Sequence, residues 1–328
     1  MRVVVIGASG HVGGYLIPRL VAAGHEVVAI SRGLREPYRP HRAWDSVQRL
    51  TVDREAEDAA GTFGPLVAGL GADVVIDMVC FTAASASQLV EAIRGRVPLL
   101  LSCGTIWTHG RAVEVPILEH EAQNAFGDYG TGKAEIEQLL LAESRRPGGL
   151  RSVVLHPGHI TGPGWAMINP VGNLDLSVWQ KLAAGDEVVI PNDGLETVHH
   201  VHADDVAQGF MLALERQAQA VGESFHLVSP RAVTLRGFAD EAAGWFGHEA
   251  RLRFAPFEEF RAQTSAEHAA ASWEHITRSH SVSIEKAKRM LGYAPRYSSL
   301  AAVAEGLQWL IDDGQVDVGR RALAFNPH

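Results

Sequence analysis

Short runs of apolar, mostly β-branched residues alternate with helical patterns through the first half of the chain. Five such runs fall at residues 3–7, 26–31, 73–79, 98–103 and 152–158. A run that is apolar at nearly every position fits a strand buried on both faces, which is typical of a parallel sheet with helices on each side. The alternation therefore predicts the α/β fold class, with a doubly wound parallel sheet.

Composition and charge narrow the classes of protein that fit such a sheet. The 328 residues suffice for about two domains, and 46% of them are apolar, which is enough for a large core. The net charge of −9 comes without a basic block, which argues against nucleic acid and an anionic membrane surface as partners. The longest stretch free of charged side chains, 152–174, carries two histidines and three prolines and does not fit a membrane-spanning helix.

The start of the chain and its cysteines indicate the compartment. The sequence opens directly on a strand pattern, which leaves no room for a cleavable leader. Cys80 and Cys103 lack the spacing of a metal or redox motif. We therefore expect a cytoplasmic protein without a disulfide.

A cluster of glycines follows the first strand. Gly7, Gly10 and Gly13 are spaced three apart in GASGHVGG, and the helical pattern YLIPRLVAAG comes next. Glycines at a strand-to-helix turn let the backbone approach a pyrophosphate, and the helix N-terminus favours the anion. A purely structural turn is the alternative, but the context favours dinucleotide binding. The residues predicted to bind the cofactor here are Gly7, Ser9, Gly10, His11, Val12 and Gly13.

The end of the second strand bears on the choice of cofactor. NAD-selective sites carry an acidic residue there for the ribose hydroxyls, whereas this chain has Ser31, Arg32 and Gly33. Arginine suits a 2′-phosphate. We predict NADP as the cofactor and keep NAD as the alternative, since Arg32 also fits a solvated loop residue.

A tyrosine and a lysine stand four residues apart in DYGTGKAEIEQLLL. This spacing puts Tyr129 and Lys133 on one face of a helix. A nearby ammonium favours the phenolate and so makes tyrosine usable as an acid and base. Gly130 and Gly132 weaken the helix between them, which indicates close packing there, with a ribose or substrate as the expected neighbour.

Together these motifs resemble the extended short-chain dehydrogenase/reductase family, which contains the NAD-dependent epimerases and dehydratases. The resemblance extends to LHPGHITGPG, VHADDVA and SIEKAKRMLGYAP, and so to nearly the whole chain. It implies a Rossmann-type sheet with a smaller C-terminal substrate-binding lobe. It also implies that Tyr129 is the acid/base and that Lys133 holds the nicotinamide ribose. The further cofactor-binding residues it implies are Asp53, Met78, Val79, Cys80, Pro157 and Gly158.

The chain departs from the family pattern around the hydroxyl partner of the tyrosine. The segment SCGTIWTHG puts Cys103 at the place of the family's serine or threonine, and a thiol is a weak donor. Ser102 and Thr105 are the other candidates for this catalytic role. Dehydratases carry an Asp-Glu pair directly after this residue, where Gly104 and Thr105 stand, so dehydration is disfavoured.

The substrate side also departs from the sugar-nucleotide members of the family. Val198 stands where those members hold a diphosphate with arginine, and His159 replaces an asparagine. The residues predicted to contact substrate are His159, Trp107, Trp165 and His199, each with a structural role as the alternative. We expect no metal site, because the histidines at 159, 199, 200 and 202 lack a carboxylate or thiolate at diagnostic spacing.

The leading prediction is an NAD(P)(H)-dependent oxidoreductase that transfers hydride at a carbonyl or secondary alcohol of a small polar, sugar-like substrate. An epimerase that oxidises its substrate transiently is the alternative. A cofactor-binding regulator or RNA-associated scaffold is the alternative of another class. The cofactor domain is predicted at 1–165, with return of the chain at about 199–230, and the substrate lobe mainly at 166–198 and 231–328. A homodimer is suggested by the family and by the apolar Ile136, Leu139 and Leu140 on the tyrosine-bearing helix, which fit the core equally well.

Overall fold

The protein, described here from a computed structural model, is built on one parallel sheet. The structure describes residues 1–34, 36–37, 39–319 and 322–325. The strands are β1 (Arg2–Ile6), β2 (Glu26–Ser31), β3 (Gln48–Thr51), β4 (Val74–Asp77), β5 (Leu99–Cys103), β6 (Ser152–Pro157), β7 (His159–Thr161), β8 (Glu187–Pro191), β9 (Thr197–Val198), β10 (His200–His202), β11 (Ser224–Leu227), β12 (Val233–Thr234) and β13 (Arg251–Ala255).

Helices cover both faces of that sheet and build a second lobe. They are α1 (Gly13–Ala22), α2 (Arg54–Ala59), α3 (Phe63–Ala68), α4 (Ala83–Ile93), α5 (Gly127–Arg145), α6 (Ser177–Ala184), α7 (Ala203–Glu215), α8 (Gln217–Ala220), α9 (Leu235–Gly244), α10 (Phe257–Arg261), α11 (Ala266–Ile276), α12 (Glu285–Leu291) and α13 (Ser299–Asp312). Two 3-10 turns lie at Arg42–Ser46 and Ile106–His109.

Seven strands form the main sheet in the order β11-β6-β5-β4-β1-β2-β3, and all of their pairings are parallel. The chain runs outward from β1 to β3 and then returns to β4 on the other side of β1. This reversal makes the carboxyl ends of β1 and β4 the switch point, where doubly wound sheets bind their ligands. The predicted doubly wound, Rossmann-type α/β fold is confirmed.

Most predicted elements are present with small shifts at their ends. The second strand has the predicted bounds. The sequence also predicts a helix over 173–184, closed by Gly185, and a last helix over 299–311. The first of these begins only at Ser177 and ends, as expected, at Gly185, whose φ is +74°, and the last helix extends one residue further, to Asp312. Strand β3 was not predicted because it is an exposed edge strand without an apolar run.

The core is divided by the faces of the sheet. Along β1, Val3 and Val5 pack in one cluster with Leu16 of α1, while Val4 and Ile6 pack in another. A third cluster is formed by residues of 167–325, around Trp179 and Phe238. The sheet and the second lobe therefore have separate cores, and the predicted domain boundaries stay a prediction.

The apolar side of α5 belongs to the core. Ile136 and Leu140 are buried beneath the sheet and Leu139 packs against the same cluster. These residues are covered within one chain and so give no support to a homodimer. Among the described residues, no helix is both long enough and apolar enough to cross a membrane.

Histidines are unusually numerous among the buried polar residues. Burial lowers the pKa of His109, His199, His200 and His275 to about 4, and it lowers that of His280 to about 3. An imidazole that is removed from water resists protonation, since its charged form loses hydration. The native state therefore holds these side chains neutral well below pH 6.5.

This burial predicts sensitivity to acid. An unfolded histidine titrates near pH 6.5, so between about pH 6.5 and 4 the unfolded state binds more protons than the native state. Each such histidine lowers the free energy of unfolding by about 1.4 kcal/mol for every pH unit of acidification in that window. We expect urea denaturation at pH 5 to 7 to show a steep loss of stability toward pH 5.

A matched pair of variants tests the cause. His200→Asn removes one buried imidazole and should reduce the slope of stability against pH by about one proton equivalent. His120→Asn alters an exposed histidine and should leave the slope unchanged. Stability that stays constant from pH 7 to 5 would contradict the prediction.

Candidate active site

The glycine turn after β1 lies at the switch point of the sheet. Gly7 has a φ of +83°, and a Cβ there would come within 2.6 Å of Val79 Cγ1. A Cβ on Gly13 would lie 1.8 Å from the carbonyl oxygen of Ala8, so α1 rests directly on the backbone of the turn. Any larger side chain would move the turn or the helix. The sequence thus keeps the N-terminus of α1 close to the end of β1, as an anion-binding turn requires.

Two predicted residues, His11 and Trp165, pack together beside this turn. His11 is 3% exposed, and its Nε2 lies 2.8 Å from the carbonyl oxygen of Pro163. Its ring is 4.8 Å from that of Trp165, whose Nε1 donates to the Ile160 carbonyl. Trp165, predicted on the substrate side, therefore lies over the glycine turn and connects it to the loop after β7.

The ends of β2 and β3 carry the residues predicted near the adenosine. Ser31 is the last residue of β2, and Arg32 after it is exposed. Asp53 is the N-cap of α2, where its Oδ1 accepts the N–H groups of Glu55 and Ala56. The exposed position of Arg32 leaves its guanidinium accessible to an anionic group.

A buried ion pair joins this region to the end of β4. Arg54 Nη1 donates to both carboxylate oxygens of Asp77, at 2.6 and 2.8 Å, and Asp77 is 3% exposed. Asp77 Oδ1 also accepts the N–H of Val79. The pair therefore connects the segment Met78–Cys80, which follows β4, to the N-terminus of α2. Nothing in the sequence pattern indicated this pair, because its members lie on different elements.

Cys80 does not offer a reactive thiol. The side chain is 2% exposed and packs in the core beneath the sheet. Burial raises the pKa of the Cys80 thiol to about 11, so it is neutral at physiological pH. Its segment can therefore line a ligand through the backbone and through its neighbours rather than through this sulfur.

Lys133 is fixed by the backbone of the neighbouring strand. The residue is 2% exposed, and its Nζ donates to the Cys103 carbonyl at 2.6 Å. The ammonium lies 5.0 Å from the ring centroid of Phe81 and 5.9 Å from that of Tyr129. A buried ammonium needs such acceptors, since its desolvation is costly. Lys133 is thus oriented behind the tyrosine, where the loops after β4 and β5 meet α5.

The two glycines between tyrosine and lysine serve the packing of the protein itself. A Cβ on Gly132 would lie 2.5 Å from the Phe81 carbonyl oxygen, and one on Gly130 would lie 3.2 Å from that of Trp107. The prediction that a ribose or substrate approaches these glycines is therefore wrong. Two backbone carbonyls occupy that space, and the glycines let α5 come close to both loops.

The ring of Tyr129 packs against those of Phe81 and Trp107. The residue is 42% exposed. Burial raises its pKa to about 12, the Cys103 thiol adds to this rise, and the Thr105 side chain lowers it. The pKa of Tyr129 is thus raised, contrary to the expectation drawn from its spacing to Lys133, whose Nζ donates to the Cys103 carbonyl. Tyr129 is protonated at neutral pH.

Of the three candidates for the hydroxyl partner, Thr105 is the one whose side chain lowers the pKa of the tyrosine. Its Oγ1 also accepts the N–H of Trp107, at the start of the 3-10 turn. Ser102 is 2% exposed within β5. Cys103 is buried, which raises the pKa of its thiol. The structure therefore brings together Tyr129 and Thr105, with the Cys103 carbonyl on Lys133.

An aromatic wall continues from the tyrosine. The ring of Trp107 stands edge-on to Tyr129 at 5.6 Å and to His275 at 5.1 Å. The guanidinium of Arg278 lies 3.9 Å from the Trp107 ring on its other side. His275, on α11, also contacts His159 at 4.9 Å. Sequence reasoning missed His275, since no motif connects the second lobe to the tyrosine helix.

The two histidines predicted to contact substrate are placed differently. His199 is 1% exposed; its Nε2 donates to the Ser229 carbonyl and its Nδ1 accepts the Val282 N–H. Both nitrogens of His199 are thus used by the backbone, and the structure does not present this residue to the cleft. His159 is half-buried, bonds the His199 carbonyl through Nδ1, and is held neutral by burial, which lowers its pKa.

The nicotinamide-side segment is tightly packed. Pro157 ends β6 in the core, and a Cβ on Gly158 would lie 2.3 Å from the His199 carbonyl oxygen. This close approach pairs β7 with β10 beside the main sheet. Within the part of the chain that the structure describes, no group of three or more His, Cys, Asp or Glu residues is arranged to hold a metal ion.

Comparisons with known proteins agree with this arrangement. The 2′-dehydrokanamycin reductase of Streptomyces kanamyceticus is 29% identical over 236 residues, which cover 72% of this chain and 64% of the reductase. The chain thus matches less than two thirds of that protein's length. A chloroplast stem-loop binding protein of 41 kDa from Arabidopsis thaliana is 25% identical over 331 residues, covering 97% of this chain and 80% of that protein.

A solved structure shows the same fold over almost the full length. The UDP-glucose 4-epimerase of Thermotoga maritima, determined with UDP-glucose, superposes with a TM-score of 0.71 at 18% identity, covering 95% of this chain and 99% of that one. The model of the NAD-dependent epimerase/dehydratase family matches residues 3–227. The chain therefore belongs to the NAD-dependent epimerase/dehydratase family.

Proposed function

We propose that the protein is an NAD(P)H-dependent reductase of a carbonyl group on a small polar, sugar-like substrate. The observation that carries this proposal is the grouping of Tyr129 with Thr105, whose side chain lowers the tyrosine pKa, and with the buried Lys133, whose Nζ lies 5.9 Å from the tyrosine ring centroid. Two hydroxyl groups that meet at the edge of a cleft can donate to one substrate oxygen. The similarity to a 2′-dehydrokanamycin reductase favours carbonyl reduction.

The turn after β1 fits a dinucleotide, because Gly7 and Gly13 allow a tight turn that brings the N-terminus of α1 close to the end of β1. A bound nicotinamide would supply the hydride. The residues proposed to hold the dinucleotide are Gly7, Ser9, Gly10, His11, Val12 and Gly13 in the turn, Ser31, Arg32 and Asp53 on the adenosine side, and Met78, Val79, Cys80, Lys133, Pro157 and Gly158 toward the nicotinamide.

Tyr129 acts as the acid of the proposed reduction. With a pKa of about 12 the phenol is protonated at neutral pH, and it donates its proton to the substrate oxygen as negative charge develops there. Thr105 donates a second hydrogen bond to the same oxygen or to the phenolate that forms. Lys133 stabilises that phenolate by its charge, from a fixed position beside the ring.

The surroundings of the tyrosine favour a substrate without a nucleotide diphosphate. Val198, at the position where sugar-nucleotide members carry the diphosphate-binding arginine, is fully buried in β9. Trp107 and His159 offer an apolar face and a neutral imidazole, which suit the ring and the hydroxyl groups of a sugar. Trp107, His159 and Trp165 are therefore proposed as substrate contacts, whereas His199 supports them through the backbone.

An epimerase is the second candidate, favoured by the full-length likeness to UDP-glucose 4-epimerase. Transient oxidation followed by reduction of the opposite face would use the same tyrosine and lysine. Retention of the dinucleotide through purification, with product formed but no net change in absorbance at 340 nm, would identify an epimerase. Consumption of one NAD(P)H for each product molecule would identify the reductase.

A non-catalytic role in RNA binding is the third candidate, since one relative is named for stem-loop binding. The net charge of −9 argues against it, because phosphate contacts need clustered cations. Binding of NADPH without turnover on a panel of ketones and sugars, together with salt-dependent binding of a stem-loop RNA, would replace the proposed function.

The compartment and the assembly are also proposals. Both cysteines are buried free thiols, in accord with the reducing cytoplasm expected from the sequence. A homodimer is proposed from the family resemblance alone, since the apolar residues of α5 lie in the core. Light scattering of the purified protein measures the assembly directly.

The first prediction of the proposed function concerns the acid. Tyr129→Phe should lower kcat about 10²- to 10⁴-fold, because the proton donor is lost, and Thr105→Val should lower it about 100-fold. Tyr297→Phe serves as the control, because it removes the hydroxyl of a tyrosine whose ring stacks on that of His202. Steady-state kinetics with NADPH and a dehydro-aminoglycoside measures the effects. Full turnover by Tyr129→Phe would refute the mechanism.

The second prediction concerns the 2′-phosphate. Arg32→Ala should raise the Kd of NADPH by roughly tenfold or more, the value of a charge-assisted hydrogen bond, and leave the Kd of NADH unchanged. Arg145→Ala, an exposed arginine in the last turn of α5, is the matched control. Fluorescence titration measures both constants. Wild-type protein that binds NADH tenfold more tightly than NADPH would overturn the NADP assignment.

A further inference from the structure

A third residue continues the face of α5 that carries the proposed active site. Tyr129, Lys133 and Glu137 are spaced four apart and so lie on one side of the helix. Each interacts with a residue at the end of β5 or on β6: the Thr105 side chain lowers the pKa of Tyr129, and Lys133 Nζ donates to the Cys103 carbonyl at 2.6 Å. Glu137 Oε2 lies 3.1 Å from Nε2 of an imidazole on β6, that of His156.

His156 connects this carboxylate to the hydroxyl partner of the tyrosine. The imidazole is fully buried, and its Nδ1 accepts the backbone N–H of Thr105 at 2.9 Å. Because Nδ1 is the acceptor, Nε2 carries a proton, and this nitrogen faces Glu137. A Cβ on Gly104 would lie 2.3 Å from His156 Nδ1, so only glycine at 104 permits this bond.

Glu137 is equipped to orient the ring. The residue is 3% exposed. Burial tends to raise the pKa of its carboxyl, but His156 and hydrogen bonds from Ser224 and Gln123 outweigh burial and lower the pKa to about 2. The carboxylate is thus charged at every pH at which the protein would work. A charged acceptor fixes both the tautomer and the orientation of the imidazole.

The hydroxyl of Thr105 is placed by the backbone of its loop. Its oxygen accepts the Trp107 N–H at 3.3 Å, which leaves the hydroxyl proton available to the oxygen of Tyr129. The position of the hydroxyl depends on where the backbone of Thr105 is held, and the Thr105 N–H is bound by His156. A shift of the loop by a few tenths of an ångström would lengthen the contact with the tyrosine.

We propose that Glu137 and His156 are positioning residues that hold the Thr105 hydroxyl against Tyr129 for proton transfer. The inference rests on the proposed function, since it assigns these residues a task in the same reaction. Neither residue touches substrate or cofactor in this role. They act through the backbone of Thr105, and Gly104 provides the space for that action.

The test compares two replacements of the histidine. His156→Asn keeps a side-chain acceptor near the Thr105 N–H, whereas His156→Leu removes it. In alcohol oxidation kcat rises with pH as Tyr129 loses its proton. Loss of the Thr105 interaction raises the apparent pKa of Tyr129. In His156→Leu the rising part of the kcat–pH profile should therefore shift upward by about one pH unit, and kcat at pH 8 should fall about tenfold. His156→Asn should restore most of both.

If His156 has only a structural role, its replacement should lower stability without shifting the kcat–pH profile. His226→Leu is the matched control, because His226 is equally buried in the same cluster, 6.2 Å from the His156 ring, but bonds the Ser283 carbonyl instead. It should lower Tm and leave the pH profile unchanged. The other ionisable groups here, His109 beside His226 and Glu119 at 3.9 Å from it, are unaltered in all variants.

A double-mutant cycle separates the two levels of the proposal. In a Thr105→Val background, His156→Leu should cause no further loss of kcat, since the hydroxyl it positions is gone. Additive losses, or a His156→Leu profile that matches His226→Leu, would overturn the positioning role while the reductase proposal stands. Full activity of Thr105→Val and Tyr129→Phe would instead overturn the proposed function itself.

Discussion

The close packing of α5 against the ends of β5 and β6 is the constraint on which the proposed site depends. It is made by the bond from Lys133 to the Cys103 carbonyl and by Gly130 and Gly132, which admit the carbonyls of two loops. Burial of an ammonium without an acceptor would cost free energy. This bond therefore fixes the rotation of α5 about its axis and its distance from the sheet. The position of the Tyr129 hydroxyl follows from it.

The same packing determines the chemistry that the tyrosine can perform unaided. Burial of the hydroxyl raises the pKa of Tyr129 to about 12, while the lysine is engaged elsewhere. A phenol of this kind is a ready acid and a weak base at neutral pH. The proposed reduction uses this phenol as an acid, and the Lys133 ammonium, 5.9 Å from the ring centroid, would stabilise the phenolate that forms.

Local sequence patterns predicted the elements and the motifs that lie within one element. The parallel strands, the glycine turn and the Tyr129–Lys133 pair follow from periodicity and spacing, which act over a few residues. Contacts between distant segments were not predictable: His275 beside Trp107, Arg54 on Asp77, and Thr105 rather than Cys103 on the tyrosine. Each of these depends on how loops of different strands meet, which no spacing encodes.

Gly104 shows how one residue can restrict a site in two ways. By family resemblance this position belongs to the acidic pair of the dehydratases, so its glycine removes a carboxyl group that dehydration would need. In the structure the missing side chain is also the space that His156 occupies on its way to the Thr105 N–H. Restoring an acidic side chain would displace the imidazole from the loop. A side chain at 104 and the His156 imidazole would therefore compete for the same space, so the packing that holds Thr105 depends on the glycine.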